Sequence, residues 1–368
     1  MATTVTYKGQ VLVTVDNSTK VLETSGTWCE DDFTLVDVSG GGGGGGGNGY
    51  GGDGTWTRPM GYPKLDDMDI TGGDVVYISY IATEELGFCD LTIKRTSGTF
   101  TFEIGEINNG VFTADSTTTY SADTRVQKFF GSASGGYKVI KITGSIKEIS
   151  TIRNDWVSYD GNYRWSAYQG AIEIYGNLPH LAVISFYSVG RLEAVHLGGA
   201  KFTSLASAFY NNDFLMSVDT KNWDVSNCTG LNYTFANCRA LDFVDVSDWD
   251  TAKVTTCQAM FLSASISQID ISEWDMGLVT NTSQMFQQTK FTDITIPASL
   301  ATISANMFAG DNQKLVYHFK ATTVPTLANV NAFNGYHTQM VIYVPTAKLS
   351  DYQTASNWST YASYMVGE

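Results

Sequence analysis

The stretches LASAFYNNDFLMSVDTKNWDVSNCTG (205–230), LNYTFANCRALDFVDVSDWDTAKVTT (231–256) and CQAMFLSASISQIDISEWDMGLVTN (257–281) follow one another directly and write one pattern three times. Their periods are 26, 26 and 25 residues. Phe209, Phe235 and Phe261 share one slot, Val218-Asp219, Val244-Asp245 and Ile269-Asp270 a second, and Trp223-Asp224, Trp249-Asp250 and Trp274-Asp275 a third. Self-similarity at this spacing marks a solenoid, in which no repeat buries its apolar face alone and stacking supplies the core.

These blocks resemble the bacterial-surface-type (BspA-like) leucine-rich repeat family, whose repeats join a Met-Phe-x-x-Cys block to an apolar-Asp-apolar-Ser-x-Trp/Phe-Asp block. The family's pattern stands here as Phe235-Ala-Asn-Cys238, Met260-Phe261, Met285-Phe286, Val244-Asp-Val-Ser-Asp-Trp-Asp250 and Ile269-Asp-Ile-Ser-Glu-Trp-Asp275. Beyond 281 the pattern decays: Met285-Phe286 and Met307-Phe308 keep the aromatic slot, whereas Ile294-Thr-Ile-Pro297 has lost the Trp-Asp. The resemblance runs from about Leu192 to the end, and 341–365 is similar to the segment that closes such repeats.

Working outward, residues 171–204 read as degenerate leading repeats with candidate strands at 171–174, 181–184 and 192–197. Further strands are expected at 315–317 and 340–344, and Asp351 to Met365 as a closing amphipathic helix. Upstream lies an aromatic cluster, Trp156, Tyr159, Tyr163, Trp165, Tyr168 and Tyr175, for which two roles are open: a platform for sugar stacking or a cap on the first turn of the solenoid. Residues 55–150 alternate apolar and polar repeatedly, with turn signals at Gly72-Gly73, Ser97-Gly98, Asn108-Asn-Gly110 and Ser134-Gly-Gly136, the spacing of an antiparallel β-sandwich. Gly40 to Gly47 are eight consecutive glycines, and 40–54 reads as a flexible linker. Residues 1–39 read as short strands around a turn at Asp16-Asn17-Ser18. The expected fold is therefore mainly β: a small N-terminal module (1–39), a Gly-rich linker (40–54), a sandwich (55–150) and a leucine-rich-repeat solenoid with caps (151–368).

The N-terminal arrangement of Val5-Thr-Tyr-Lys-Gly9, Ser18 to Gly26 and Glu30-Asp-Asp-Phe-Thr-Leu35 is similar to the first module of structural proteins from phages of gut bacteria. That resemblance implies a fibre or decoration protein that docks on other virion proteins through its N-terminus. It also accounts for MATTVTYKGQ lacking the basic and apolar regions of an export signal, since virion proteins assemble in the host cytoplasm.

Charge narrows the partners. The chain of 368 residues holds 37 acidic and 22 basic residues, a net charge of -15, which argues against nucleic acid because phosphate neutralisation needs a basic face. Residues 205–281 carry ten carboxylates and three cations, so whatever docks there is neutral or cationic. No apolar run approaches the length of a membrane span.

Little in the sequence points to catalysis. The four histidines sit in unrelated contexts, no His-x-x-x-His, Cys-x-x-Cys or Gly-x-Ser-x-Gly is present, and carboxylate pairs such as Glu84/Glu85 or Glu103/Glu106 arise readily by chance in so acidic a chain. No cofactor or metal is expected. Asp245, Asp248 and Asp250 have the oxygen chemistry of a calcium site, but recurrence at every repeat is what turn capping requires. The five cysteines are scattered, and Cys238 occupies a repeat slot that suits a small buried side chain.

The sequence thus leads to a virion-surface protein, head or tail fibre or decoration, whose repeats bind a bacterial surface glycan or protein, or mucus, in many copies, with a homotrimer compatible with the polyglycine. A bacterial cell-surface adhesin of the same repeat family is the alternative, and a carbohydrate-active enzyme with an accessory solenoid a third. The contact candidates are Trp223, Asp224, Trp249, Asp250, Trp274 and Asp275, with Trp156, Tyr159, Tyr163 and Trp165. Two roles are open to the repeat tryptophans, ligand contact or stacked core.

Overall fold

The computed structural model describes residues 61–83, 87–133, 135–151, 170–310, 315–335 and 339–368, and the backbone alone at 3–7, 10–15, 20–24, 33–37, 156–159 and 162–165. The chain is mainly β and divides into two compact units, Met1–Gly47 and Asn48–Glu368.

In the first unit β1 (Thr3–Tyr7) pairs antiparallel with β2 (Gln10–Val15), and β3 (Lys20–Thr24) with β4 (Phe33–Asp37). These strands carry the alternation at Val5/Tyr7 and Val11/Val13/Val15. The linker expected at 40–54 lies outside the described residues.

The second unit begins with seven strands: β5 (Val75–Ile81), β6 (Phe88–Arg95), β7 (Phe100–Asn108), β8 (Val111–Tyr120), β9 (Thr124–Phe129), β10 (Tyr137–Thr143) and β11 (Ile146–Thr151). Strands β5, β10, β7 and β8 are antiparallel neighbours in one sheet, and β11, β6 and β9 lie side by side in another. Alternate side chains of both sheets, Val76, Ile78 and Tyr80 from β5 and Leu91 and Ile93 from β6, enter one core cluster with Ile140, Ile142 and Val126. Period-two patterning thus places one face of each sheet against the same core.

Neither sheet stops at residue 150, where the sequence suggested a boundary. After a hairpin of β12 (Trp156–Tyr159) and β13 (Asn162–Trp165), strand β14 (Ala171–Asn177) pairs antiparallel with β5. Parallel strands β16 (Ala194–Gly198) and β17 (Ser217–Asp219) then extend the same sheet, and β15 (Val183–Ser185) adds in parallel to β11. The leading repeat strands would otherwise expose an unpaired edge, and β5 and β11 occupy it. One hydrophobic cluster accordingly runs from Val76 to Met365.

From Phe186 onward the chain winds as successive parallel coils. The amide of each aromatic-slot residue donates to the next coil: Phe209 to Thr234, Phe235 to Met260, Phe261 to Met285 and Phe286 to Met307, each at 2.9 Å. Alternate residues flanking these positions, Ser207, Asn211, Tyr233, Asn237, Ala259, Ser263, Gln284 and Gln288, have φ between 50° and 62°. This left-handed conformation is disfavoured for residues with a Cβ. It recurs because a turn within each coil and a ladder bond to the next coil must both form: the amides of Ala236 and Cys238 return to Tyr233 and Phe235, while Tyr233 and Asn237 donate forward to Gln258 and Leu262.

Towards the C-terminus the coils regain short parallel strands, β18 (Asp293–Ile296), β19 (Thr302–Ile303), β20 (Val316–Phe319), β21 (Thr326–Leu327), β22 (Val341–Val344) and β23 (Met365–Gly367). The closing helix expected over 351–365 is shorter and broken. Helix α1 spans Leu349–Thr354, Ala355 is extended, Asn357 takes φ 65°, and a 3-10 helix follows at Trp358–Tyr364. The break lets Tyr352, Trp358 and Tyr361 all turn inward onto Phe319 and Phe333, capping the last coil. Their polar atoms are used: Trp358 Nε1 donates to Pro325 O at 2.8 Å and Tyr352 Oη to Ala321 O at 3.1 Å.

Candidate adhesive surface

The repeat slots fall on two sides of the coil wall. Phe209, Phe235, Phe261, Phe286, Phe308 and Phe333 stack in one interior column with ring centroids 5.2–5.9 Å apart and planes within 16° of parallel. Trp223, Trp249 and Trp274 form a second, at 6.2 and 6.1 Å. The three indoles are 7%, 5% and 2% exposed, so they build the core and offer no ring face to a ligand. This corrects their candidacy as contact residues: an apolar slot repeated in every coil is the slot that stacking buries. Trp223 Nε1 donates to Leu197 O at 2.9 Å and Trp274 Nε1 to Val246 O at 2.8 Å, while Trp249 Nε1 is buried with no partner.

The aspartate beside each tryptophan points the other way. Asp224, Asp250 and Asp275 are exposed, and each accepts the backbone N–H two residues on, from Ser226, Ala252 and Gly277 at 3.0, 3.2 and 2.9 Å. Asp219, Asp245 and Asp270 do the same for Lys221, Ser247 and Ser272 at 3.1, 3.1 and 2.9 Å. Ser226 and Ser247 add their hydroxyls to the same carboxylates at 2.6 and 2.7 Å. Each coil therefore leaves its strand and its tryptophan through an Asx turn, which fixes the loop and satisfies an amide that would otherwise face water. The hydroxyl and amide of Ser226 hold the Asp224 carboxyl below the usual carboxylate range, and the His196 side chain, 2.7 Å away, does so for Asp219.

The result is a wall of exposed carboxylates in fixed turns. Lys221 and Lys253 are exposed on the same coils, Lys253 Nζ reaching Asn227 Oδ1 at 2.6 Å. A parallel ladder of threonines joins the coils along their flank, Thr229 N to Thr203 O, Thr255 N to Thr229 O and Thr280 N to Thr255 O, at 3.1, 3.0 and 2.9 Å. Elsewhere on the coils lies a half-buried row that the sequence pattern did not announce: Tyr187 stacks on Tyr210 at 4.9 Å, Tyr210 meets Tyr233 edge-on at 5.8 Å, and Gln258 Nε2 donates to Tyr233 Oη at 3.0 Å. Tyr187 and Tyr210 share a slot but Tyr233 does not, so no period reveals the row.

Trp156, Tyr159, Tyr163 and Trp165 lie in the β12–β13 hairpin, with Trp156 opposite Trp165 in register; their side chains, like Glu84/Glu85, lie outside what is described. Glu103 and Glu106 each have a lysine, Lys141 at 3.7 Å and Lys138 at 2.6 Å. Burial pushes the Cys89 and Cys257 thiols up to about 12, so neither offers a thiolate at neutral pH. Among the described residues no group of three His, Cys, Asp or Glu is placed to hold a metal ion, and no helix is long and apolar enough to cross a membrane.

Residues 203–315 match a protein-family model described as "Mycoplasma protein of unknown function, DUF285". The three copies at 205–281 fall wholly inside that segment. No curated protein matches the chain.

Proposed function

We propose that this chain is a phage virion structural protein, a fibre or decoration protein of head or tail, whose repeats form the outward adhesive end. In this reading the coils are a leucine-rich-repeat solenoid and residues 61–151 a sandwich-like shaft. The observation that carries the proposal is the pairing of an N-terminal unit, Met1–Gly47, compact in its own right, with a long body whose coils hold polar loops on a rigid aromatic column. A small module that forms its own contacts suits docking on a particle, and a rigid repeated wall suits many weak contacts made at once. With the indoles in the core, the adhesive contacts fall to the Asx-turn loops around Asp224, Asp250 and Asp275 and to the Tyr187–Tyr210–Tyr233 row. The partner is a bacterial surface glycan or protein, or mucus, neutral or cationic where it meets the carboxylates.

A cell-surface adhesin is the second reading, favoured by the match of residues 203–315 to a family described from Mycoplasma. Immunogold labelling with antibody to this chain separates the two. Gold on purified virions supports the phage reading, and gold on bacterial envelopes with bare virions overturns it.

A further inference from the structure

The β7–β8 hairpin and the segment at 61–67 enclose a groove of about 470 Å³ outside residues 205–281, within the size range of small-molecule sites. Two tyrosines form part of its wall: Tyr62 and Tyr137 have ring centroids 5.3 Å apart and planes tilted by 54°. Tyr62 Oη donates to Glu193 Oε1 at 3.1 Å, which pins the ring from behind. Asn108 and Asn109 form its rim, in a two-residue turn where Asn109 and Gly110 have φ 52° and 74° and Asn108 pairs with Val111. Positive φ at both central residues makes a type I′ hairpin, a stiff mount for the two amides.

The charge of the groove is nearly balanced. Lys64 and Asp67 line it with opposite signs, and Glu106 is 2.6 Å from Lys138 Nζ, which also reaches Asp115 at 2.6 Å. Gly61, Gly110 and Gly135 leave open space where side chains would stand. Aromatic faces beside amides and a carboxylate match a pyranose, whose C–H faces are apolar and whose hydroxyls both donate and accept. A phosphate or acidic sugar would meet two carboxylates with one cation, Lys64, uncommitted to either.

We propose that this groove binds a neutral sugar ring of a glycan. The site lies in the two-sheet part of the chain and does not depend on the repeats being adhesive, so either idea can fail alone.

The test is titration of the full chain, by calorimetry and saturation-transfer NMR, with the methyl glycosides of glucose, galactose and N-acetylglucosamine, and with glucose 6-phosphate as the charged probe. The expected result is saturable binding of at least one neutral glycoside. Asp67→Ala and Asn108→Ala alter exposed side chains, so each should leave the melting temperature unchanged while weakening binding about ten-fold, the loss of one good polar contact. Tyr137→Phe should stay within about two-fold because the ring provides the contact. Absence of saturation with all three glycosides overturns the proposal, as does binding that the Asp67 and Asn108 variants leave unmoved, or binding of glucose 6-phosphate alone.

Discussion

Substituting Trp249 and Trp274 separately by Phe tests the geometry of the indole column. Both rings are buried in the same column, 6.1 Å apart and 4° from parallel, so the loss of ring area and the small cavity are common to the two changes, roughly 1 kcal/mol each. They differ in the indole nitrogen. In Trp274→Phe the 2.8 Å bond to Val246 O disappears and that carbonyl keeps only the Trp249 amide at 3.2 Å, which adds about 0.5–1.5 kcal/mol. In Trp249→Phe a buried N–H without a partner is removed, which returns about the same amount and brings the net effect near zero. The two variants should therefore differ by about 2 kcal/mol, a clear displacement of the urea midpoint at unchanged slope. Equilibrium urea unfolding followed by far-ultraviolet circular dichroism reads this directly. If Trp249→Phe costs as much as Trp274→Phe, the assignment of the unpartnered nitrogen is wrong.

Other expectations follow from the same column and its turns. Phe261→Ala, with stacked neighbours at 5.7 and 5.6 Å, should destabilise the chain by about 3–5 kcal/mol, whereas Leu278→Ala, 58% exposed, should change stability by under about 0.5 kcal/mol in the same urea assay. Asp245→Ala should cost about 1 kcal/mol through its lost turn bonds while Asp245→Asn costs little, and millimolar calcium should leave the melting temperature of the parent chain where it is, because the carboxylates cap turns. Asp219, Asp224 and Glu368 have folded pKa values below their unfolded ones, so their stabilisation is complete above pH of about 4–5 and is lost as pH falls through the folded values. Melting scans from pH 7 to 3 should show this acid loss, and Asp224→Asn should make the fall shallower. Arg125→Ala should be costly, by about 2–4 kcal/mol, because it removes the cation that pairs with the fully buried Asp90 carboxylate at 2.8 and 2.6 Å; a loss below 1 kcal/mol would contradict it.

The periodic part of the sequence carried the most information. Three in-register copies place Phe209, Phe235 and Phe261 in one column and Trp223, Trp249 and Trp274 in another from spacing alone, because stacking repeats identical slots. The role of the aspartates was legible for the same reason: turn capping recurs with the coil. Sequence alone left open which way the tryptophans face, since an exposed aromatic stripe and a buried one have the same spacing. Burial of 93% or more resolves it. The left-handed residues were hidden, as Tyr233, Ala259 and Gln284 carry no turn signature and adopt positive φ because ladder bonds to the next coil require it. The continuity of the sheet across residue 150 was equally invisible, because β5 and β14 pair over about a hundred residues of separation with no local mark. Tyr62 and Tyr137 come together only through folding, so the groove had no sequence signal.

If residues 205–281 are interchangeable coils of one stack, one coil can be removed without breaking it. Deleting residues 231–256, one full 26-residue period, joins Gly230 to Cys257 and keeps every slot in register. The account predicts a folded, cooperatively melting protein with an unchanged circular dichroism spectrum per residue, while a deletion of 231–250, out of register, unfolds the stack. Loss of folding in the in-register deletion, or equal tolerance of both, contradicts the account.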